Sequence, residues 1–413
     1  MNAPRPLLPL DEALQRLALA AAAHRLTEVE DLSTFDARGR VLAAEVRATI
    51  AVPGADNSAM DGYALRAADV PAAGTVLPVS QRIAAGHVGD ALQPGTAARI
   101  FTGALVPEGA DAVVMQEQCE PVDGGAAVRV NTVPAAGLAI RRRGEDVAEG
   151  AVVLAAGTRL SPQALGLAAS VGVARLPVLR RPRVAILCTG DELAMPGEPL
   201  RPGALYNSNR FTLRALAEAA GCAVTDLGNV PDRLDATREA LRKAAAGHDL
   251  IVTSGGVSVG EEDHLKPAAR AEGRLENWQL AIKPGKPLAF GAIRRPDGRE
   301  ALLLGLPGNP VSSFVTWLLA VHEVLAALQG LPGGLPPALP LVAGFDWPRP
   351  DKRREFLRVR VGGDGRLVLF ENQGSGVLTS TVWADGLVDV APGQVIAPGD
   401  TAAYRPLAPW IGG

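Results

Sequence analysis

Cysteine is scarce. Cys119, Cys188 and Cys222 are the only three in a chain of 413 residues, far apart and without CxxC spacing. This excludes a disulfide framework and a zinc-finger type of centre, points to a reducing compartment, and leaves the thiols as small buried hydrophobes. An excess of one charge is also missing. The formal net charge is −3, with Lys and Arg spread along the chain, so the basic face of a nucleic-acid binder is not expected. No basic segment followed by an apolar core opens the sequence. The apolar run at 17–23 falls well below the roughly 20 residues that span a bilayer. The expectation is a cytoplasmic protein with neither a membrane nor a nucleic acid as partner. No fixed-period repeat and no heptad array occurs. The composition, 47% hydrophobic and 21% charged, is that of ordinary globular domains, and the length suits about three of them.

The richest stretch is 250–263, LIVTSGGVSVGEED. Leu250, Ile251 and Val252 read as a short buried strand. The chain then breaks at Ser254-Gly255-Gly256 and again at Gly260. A Gly-rich loop leaving the C-terminal end of a parallel strand lets peptide N–H groups approach an oxyanion. Asp263 follows, preceded by Glu261 and Glu262, and carboxylates beside a phosphate cradle suit a hydrated Mg²⁺. The same residues also fit a plain Gly-rich turn leading into an acidic helix start.

Helical spacing of Leu10, Ala13, Leu14, Leu17, Ala18 and Ala21, with Asp11 and Glu12 in the first turn, predicts a helix. A second helix is expected over 33–44, interrupted by Gly39. Residues 50–139 read as a small, turn-rich β module. Two acids, Asn and Ser crowd its segment 56–61, a pattern that caps and turns chains. Arg141-Arg142-Arg143, beside Gly144, Glu145 and Asp146, fits a solvated face or a bidentate anion grip. Ser161 and Pro162 open a helix over 161–171, and Arg180-Arg181-Pro182 marks a boundary.

From 183 to about 330 strands alternate with helices. Strands are predicted at 184–188, 223–227, 250–253, 287–290 and 301–304, and helices at 210–220, 234–246 and 310–329. That order builds a mainly parallel sheet covered by helices, with ligands beyond the carboxyl ends of the strands. Thr189-Gly190-Asp191-Glu192, Pro231-Asp232, the SGGVSVG loop and Leu306-Pro307-Gly308-Asn309 all fall there. Asn309 is expected to cap a helix beginning at Pro310 and offering N–H groups to an anion. Lys283 and Lys286, on the turn KPGKP, form a compact dication or two solvated surface charges. After the Pro-rich 331–340 linker, short strands near 356–361, 366–370 and 387–390 read as a small β-barrel or sandwich.

The motifs DNSAMDGYA (56–64), FTGALVPEGADAVVMQE (101–117), RRRGEDV (141–147), TGDEL (189–193), SNR (208–210), SGGVSVGEED (254–263), IKPGKP (282–287) and PGNPVSS (307–313) occur in one order along the chain. Together they resemble the MoeA family of molybdopterin molybdenumtransferases, which includes the E-domain of gephyrin. The resemblance covers about residues 8–405. It departs at His264-Leu265, where an aromatic-containing pair is frequent, and at Trp383-Ala384-Asp385, where a basic, Asn-containing segment is usual.

The resemblance implies a multidomain α/β protein. An N-terminal domain would be built from 1–49 and 140–180, with a β-rich domain inserted at 50–139. A molybdopterin-binding sheet domain of MogA-like type would cover 181–330, and a C-terminal β-barrel 331–413. It implies a homodimer, transient contact with a molybdopterin adenylyltransferase and with cofactor-accepting enzymes, and a Mg²⁺-requiring reaction in which adenylylated molybdopterin and molybdate give molybdenum cofactor and AMP. It places Asp232 and Asp263 at the pyrophosphate and metal, and Glu192 in the pterin-site loop. Lys283, Lys286, Ser312, Arg354 and Ser375 fall around the molybdate. Asp61, Thr102, Arg141 and Asp146 fall on the N-terminal side of the cleft. The remaining substrate contacts fall on Thr189, Gly190, Ser208, Ser254, Gly255, Gly256, Ser258, Gly260, Pro307, Gly308 and Asn309. Two other readings are a molybdopterin adenylyltransferase, which is built on the same sheet alone, and a non-catalytic molybdopterin-binding scaffold.

Overall fold

The computed structural model describes residues 7–257 and 264–411. Two compact units emerge. One joins Met1–Val29 to Leu179–Gly413, and the other is Glu30–Val178.

The larger unit is organised on a six-stranded sheet. Helix α1 (Leu10–Ala22) comes first, then β1 (Arg183–Thr189), α2 (Ser208–Ala219), β2 (Ala223–Val230), α3 (Leu234–Gly247), β3 (Leu250–Ser254), α4 (Leu265–Glu272), β4 (Gly273–Gln279), β5 (Pro287–Arg294) and β6 (Glu300–Leu306). Strand order is β2-β1-β3-β6-β5-β4. The first four strands are mutually parallel, and β5 and β4 add antiparallel. Every residue of β3 is buried, because both faces of the sheet are covered, and a strand buried on both sides must be apolar throughout. Leu250, Val252, Leu302 and Leu304 face a core shared with Leu10, Leu14, Leu17 and Trp317. Ile251 and Leu303 face the opposite core, shared with Leu241, Leu265 and Ala268.

Three sequence expectations differ here. Residues 1–49 were grouped with 140–180, yet α1 packs into the core of the sheet unit, because its apolar stripe meets the helical segment after β6. No helix forms over 33–44. Ser33 ends a strand (Val29–Ser33), and its hydroxyl accepts from Phe35 N–H to cap a single 3₁₀ turn at Thr34–Asp36. Beyond it, Leu42 N–H and Arg40 C=O bond to Thr158 and Leu160, so strand-like pairing takes the backbone groups that a helix would use. Helix α4 follows the stretch for which one reading put an acidic helix start, and edge strand β4 falls outside the predicted strands.

The expected helix over 310–329 is present as α5 (Pro310–Thr316), a wider π turn at Trp317–Val321 and α6 (His322–Gln329). Its length and hydropathy would let it cross a bilayer, but 89% of that window is buried inside the protein, where it serves as the central core helix.

The C-terminal portion forms strands Leu339–Val342, Arg354–Val361, Leu367–Leu369, Gly386–Val390 and Thr401–Pro406 around their own core. A bridge from Ala343 to Leu367 closes this sheet on itself, as a small barrel requires. Ile282–Lys283 joins it by pairing with Arg354 and Glu355. In the smaller unit, a six-stranded sheet carries the order Ala112–Met115, Gly62–Leu65, Ala97–Ile100, Thr75–Ile83, Ala127–Val130 and Cys119–Val122.

Candidate active site

The carboxyl ends of the four parallel strands share one edge of the sheet. From β1 the chain crosses to β2 on one side and later returns to β3 on the other, so the strand order reverses between β1 and β3. Loops leaving such a point diverge and open a crevice. A cavity of about 750 Å³ lies there. Thr189, Gly190 and Glu192 border it after β1, Asp232 after β2, and Ser254, Gly255 and Gly256 after β3. Pro307, Gly308 and Asn309 follow after β6, with Ser208 and Ser312 on the first turns of α2 and α5. Twelve of the expected residues thus meet in one hollow, along the loops predicted from strand order.

Local chemistry holds these loops together. Asn209 Nδ2 donates to Ser254 Oγ at 2.8 Å and to Gly308 C=O at 2.7 Å, tying α2 to two loops at once. Asn207 caps α2 by accepting from Arg210 N–H at 3.1 Å, and its own amide reaches Asn229 at 2.6 Å. Gly255 sits at φ +91°, and a Cβ there would lie 2.9 Å from Thr189 C=O. Only glycine lets the β1 and β3 loops approach so closely. Asp232 N–H donates to Asp191 at 3.1 Å. Asn309 stands at the N-cap of α5 but does not cap it. Its amide donates instead to Ser375 Oγ at 3.0 Å, and Ser375 C=O takes the Val311 N–H at 3.0 Å. The C-terminal barrel thereby supplies one wall, with Gly376 lining the cavity.

The cations lie differently from the expectation that Lys283, Lys286 and Arg354 surround the oxyanion. Among the described residues no Lys or Arg lines the cavity. Lys283 Nζ is 2.7 Å from Glu355, whose side chain is 2% exposed and also accepts from Trp347 Nε1 at 2.9 Å. Arg354 grips Asp389 through two bonds of 2.6 Å and reaches Asp11 at 3.0 Å. Both charges are already met by carboxylates. Lys286 is exposed beside Pro287, a lining residue, and pairs with no carboxylate among the described residues. Ser258, Gly260 and Asp263 lie outside the described residues.

The other four expected residues gather in the smaller unit. The register Gly62 to Ile100 sets the segments before and after those strands side by side. Asp61 Oδ1 accepts from both Thr102 N–H and Thr102 Oγ1 at 2.8 Å, and these bonds, the backbone one foremost, hold its carboxyl below the usual carboxylate range. Arg141 pairs with Asn57 on adjacent short strands. Asp56 accepts from Arg142 Nη1 at 2.6 Å and Arg143 N–H at 2.8 Å. Asp146 is exposed at the end of the same turn. Three separate motifs thus meet at one end of this unit, and Arg142 is engaged by an acid rather than open to an anion.

Sequence reasoning missed Asn207, Asn209, Leu205 and Tyr206. The motif SNR contained the signal: a second Asn in the first turn of α2 can reach the neighbouring loops.

A doubly wound sheet with a cavity at its reversal point, walled by glycine loops and helix starts, defines a binding domain for phosphorylated or otherwise anionic small molecules. Family models agree and specify it. "MoeA N-terminal region (domain I and II)" matches residues 8–172, "Probable molybdopterin binding domain" 185–327, and "MoeA C-terminal region (domain IV)" 340–407. Molybdopterin molybdenumtransferase of Haemophilus influenzae is 42% identical over 304 residues, 74% of either chain. Molybdopterin molybdenumtransferase 2 of Mycobacterium tuberculosis is 39% identical over 389 residues, 91% of this chain and 93% of the relative. The crystal structure of the molybdopterin biosynthesis MoeA protein of Pyrococcus horikoshii superposes with a TM-score of 0.83 at 29% identity, covering 97% of this chain and 100% of that one. The chain belongs to the MoeA family of molybdopterin molybdenumtransferases.

Proposed function

We propose that this protein is a molybdopterin molybdenumtransferase that takes adenylylated molybdopterin and molybdate as substrates and releases AMP and molybdenum cofactor. The observation that carries this reading is the cavity itself. Three Gly- or Ser-containing loops and the first turns of α2 and α5 border one hollow large enough for a nucleotide-sized anion. In the reaction water attacks the adenylyl phosphorus and the P–O bond to the pterin phosphate breaks. The freed pterin phosphate is the leaving group, AMP carries away the water oxygen, and a proton passes to solvent. Molybdate then joins the two thiols of the freed pterin, and one molybdate oxygen leaves with their two protons as water. The displacement at phosphorus is served by positioning and charge neutralisation rather than by a covalent nucleophile. The loops at Gly255 and Gly308 hold the phosphates, Asn209 keeps those loops in register, and Ser312 with the Ser375 loop borders the oxyanion end.

Mg²⁺ is the proposed cofactor, supplying charge neutralisation at the pyrophosphate. Asp232 and Glu192 both line the cavity, and a hydrated Mg²⁺ needs only one or two carboxylates besides substrate phosphates. We assign the remaining carboxylate to Asp263. The protein is proposed to be cytoplasmic and to act as a homodimer, with Asp61, Thr102, Arg141 and Asp146 of a second copy completing the site.

The test is AMP release from adenylylated molybdopterin with and without molybdate and Mg²⁺. Molybdate-dependent release that stops with EDTA is expected, and is slowed in Asp263→Asn. Formation of adenylylated product from molybdopterin and ATP would instead identify the adenylyltransferase reading, and binding without either turnover the scaffold.

A further inference from the structure

A dianionic substrate needs countercharge, yet the described lining of the cavity holds two carboxylates, Glu192 and Asp232, and no cation. The guanidinium expected around the oxyanion, Arg354, is neutralised by Asp389. A buried charge in the adjoining barrel is not. Arg358, on the strand Arg354–Val361, is 1% exposed. Its guanidinium donates to Phe356 C=O at 3.0 Å, Ser380 Oγ at 3.2 Å and Gly374 C=O at 3.4 Å, all neutral acceptors. No carboxylate pairs with it among the described residues. Arg180, Arg354 and Arg405, by contrast, each face an acid. Burial pushes the Arg358 guanidinium down to about 10, which leaves it charged at neutral pH. A lone buried charge is unfavourable for folding, so its presence needs another explanation.

The loop beside it gives one. Gln373 is clamped to the Arg358 backbone by two bonds, of 2.8 and 3.0 Å. Because the peptide is planar and trans, the Gly374 carbonyl bound to Arg358 turns the Ser375 N–H to the opposite side of the loop. Ser375 in turn meets Asn309 and Val311 at the start of α5, and Gly376 lines the cavity. Resting on the reaction proposed above, we propose that Arg358 is a positioning residue for molybdate: an unneutralised charge held behind the 374–376 loop that favours a dianion at that end of the cavity without touching it. Its field acts through protein rather than water, where screening is weak.

Arg358→Met and Arg358→Lys in the full-length chain test this by molybdate titration calorimetry, by steady-state kinetics for each substrate, and by urea denaturation. Arg358→Met is expected to raise the molybdate Kd and KM about tenfold, to leave the KM for adenylylated molybdopterin nearly unchanged, and not to lower the urea midpoint. Arg358→Lys, which keeps the charge, restores molybdate affinity to within about threefold. Equal molybdate affinity in Arg358→Met and the parent overturns the assignment. So does a Met variant that fails to fold, since the residue would then serve the fold. A parent that binds no molybdate also overturns it. A parent that binds molybdate but releases no AMP defeats the proposed reaction instead, while the Kd comparison still decides the role of Arg358.

Discussion

Gly255→Ala gives the sharpest test of the cavity. At φ +91° an alanine adopts a backbone region disfavoured by about 1–2 kcal/mol. Its Cβ would also stand 2.9 Å from Thr189 C=O, a backbone atom that cannot swing aside. The β1 and β3 loops must therefore separate. Because Gly255 N–H bonds to Leu306 C=O at 3.2 Å, the β6 loop is drawn into the same shift. The expected stability loss is about 1–3 kcal/mol, read by urea denaturation. A displacement approaching 1 Å at a positioned phosphate predicts a fall in kcat/KM of about 10- to 100-fold, read by molybdate-dependent AMP release. Gly308→Ala is the control. Its added Cβ would meet nothing nearer than Gly255 Cα at 3.9 Å, so stability should change by less than about 0.5 kcal/mol. Any activity lost there reports ligand approach rather than strain. Parent-like stability and turnover in Gly255→Ala would refute the argument and return the loop to the status of a plain turn.

Two further outcomes follow from the charges. Lys286→Gln should weaken molybdate binding more than Lys283→Gln, because the Lys283 charge is engaged by Glu355. Lys283→Gln should instead lower stability by about 1–3 kcal/mol, since it leaves Glu355 buried with only Trp347 as a donor, and calorimetric titration beside denaturation separates the two. In the core, Arg180 and Asp249 form a two-point pair with side chains 8% and 9% exposed. Burial alone would raise the Asp249 carboxyl, but the Arg180 bonds and the Arg183 N–H outweigh it and hold it low. A depressed carboxylate contributes stability above its unfolded value, about 3.9, which is lost as pH falls through the folded one. Asp249→Asn should cost about 3–5 kcal/mol at neutral pH and flatten the acid limb of a stability-against-pH curve below about pH 4.

Much of this was legible because it is local. The apolar run Leu250–Ser254 and the glycines after it mark a buried parallel strand and its loop. Alternation of strands and helices then placed Thr189, Asp232 and Pro307 on the same edge without any contact being known. What failed to show was long-range. Glu355 lies 72 residues from Lys283, and Asp389 lies 35 from Arg354, so no pattern along the chain announces that these cations are engaged. The helix expected at 33–44 failed for a related reason: its backbone partners at 158–160 are more than 100 residues away. Asn309 looked like a cap by position, but Ser375, 66 residues on, took its amide.

That last bond has a consequence for how the two halves of the larger unit depend on each other. Ser375 receives both the Asn309 amide and the Val311 N–H. The mouth of the hollow is therefore complete only where the C-terminal barrel is folded against the start of α5. Lengthening or shortening the proline-rich tether before the barrel would reshape the entrance without altering a single residue that borders it.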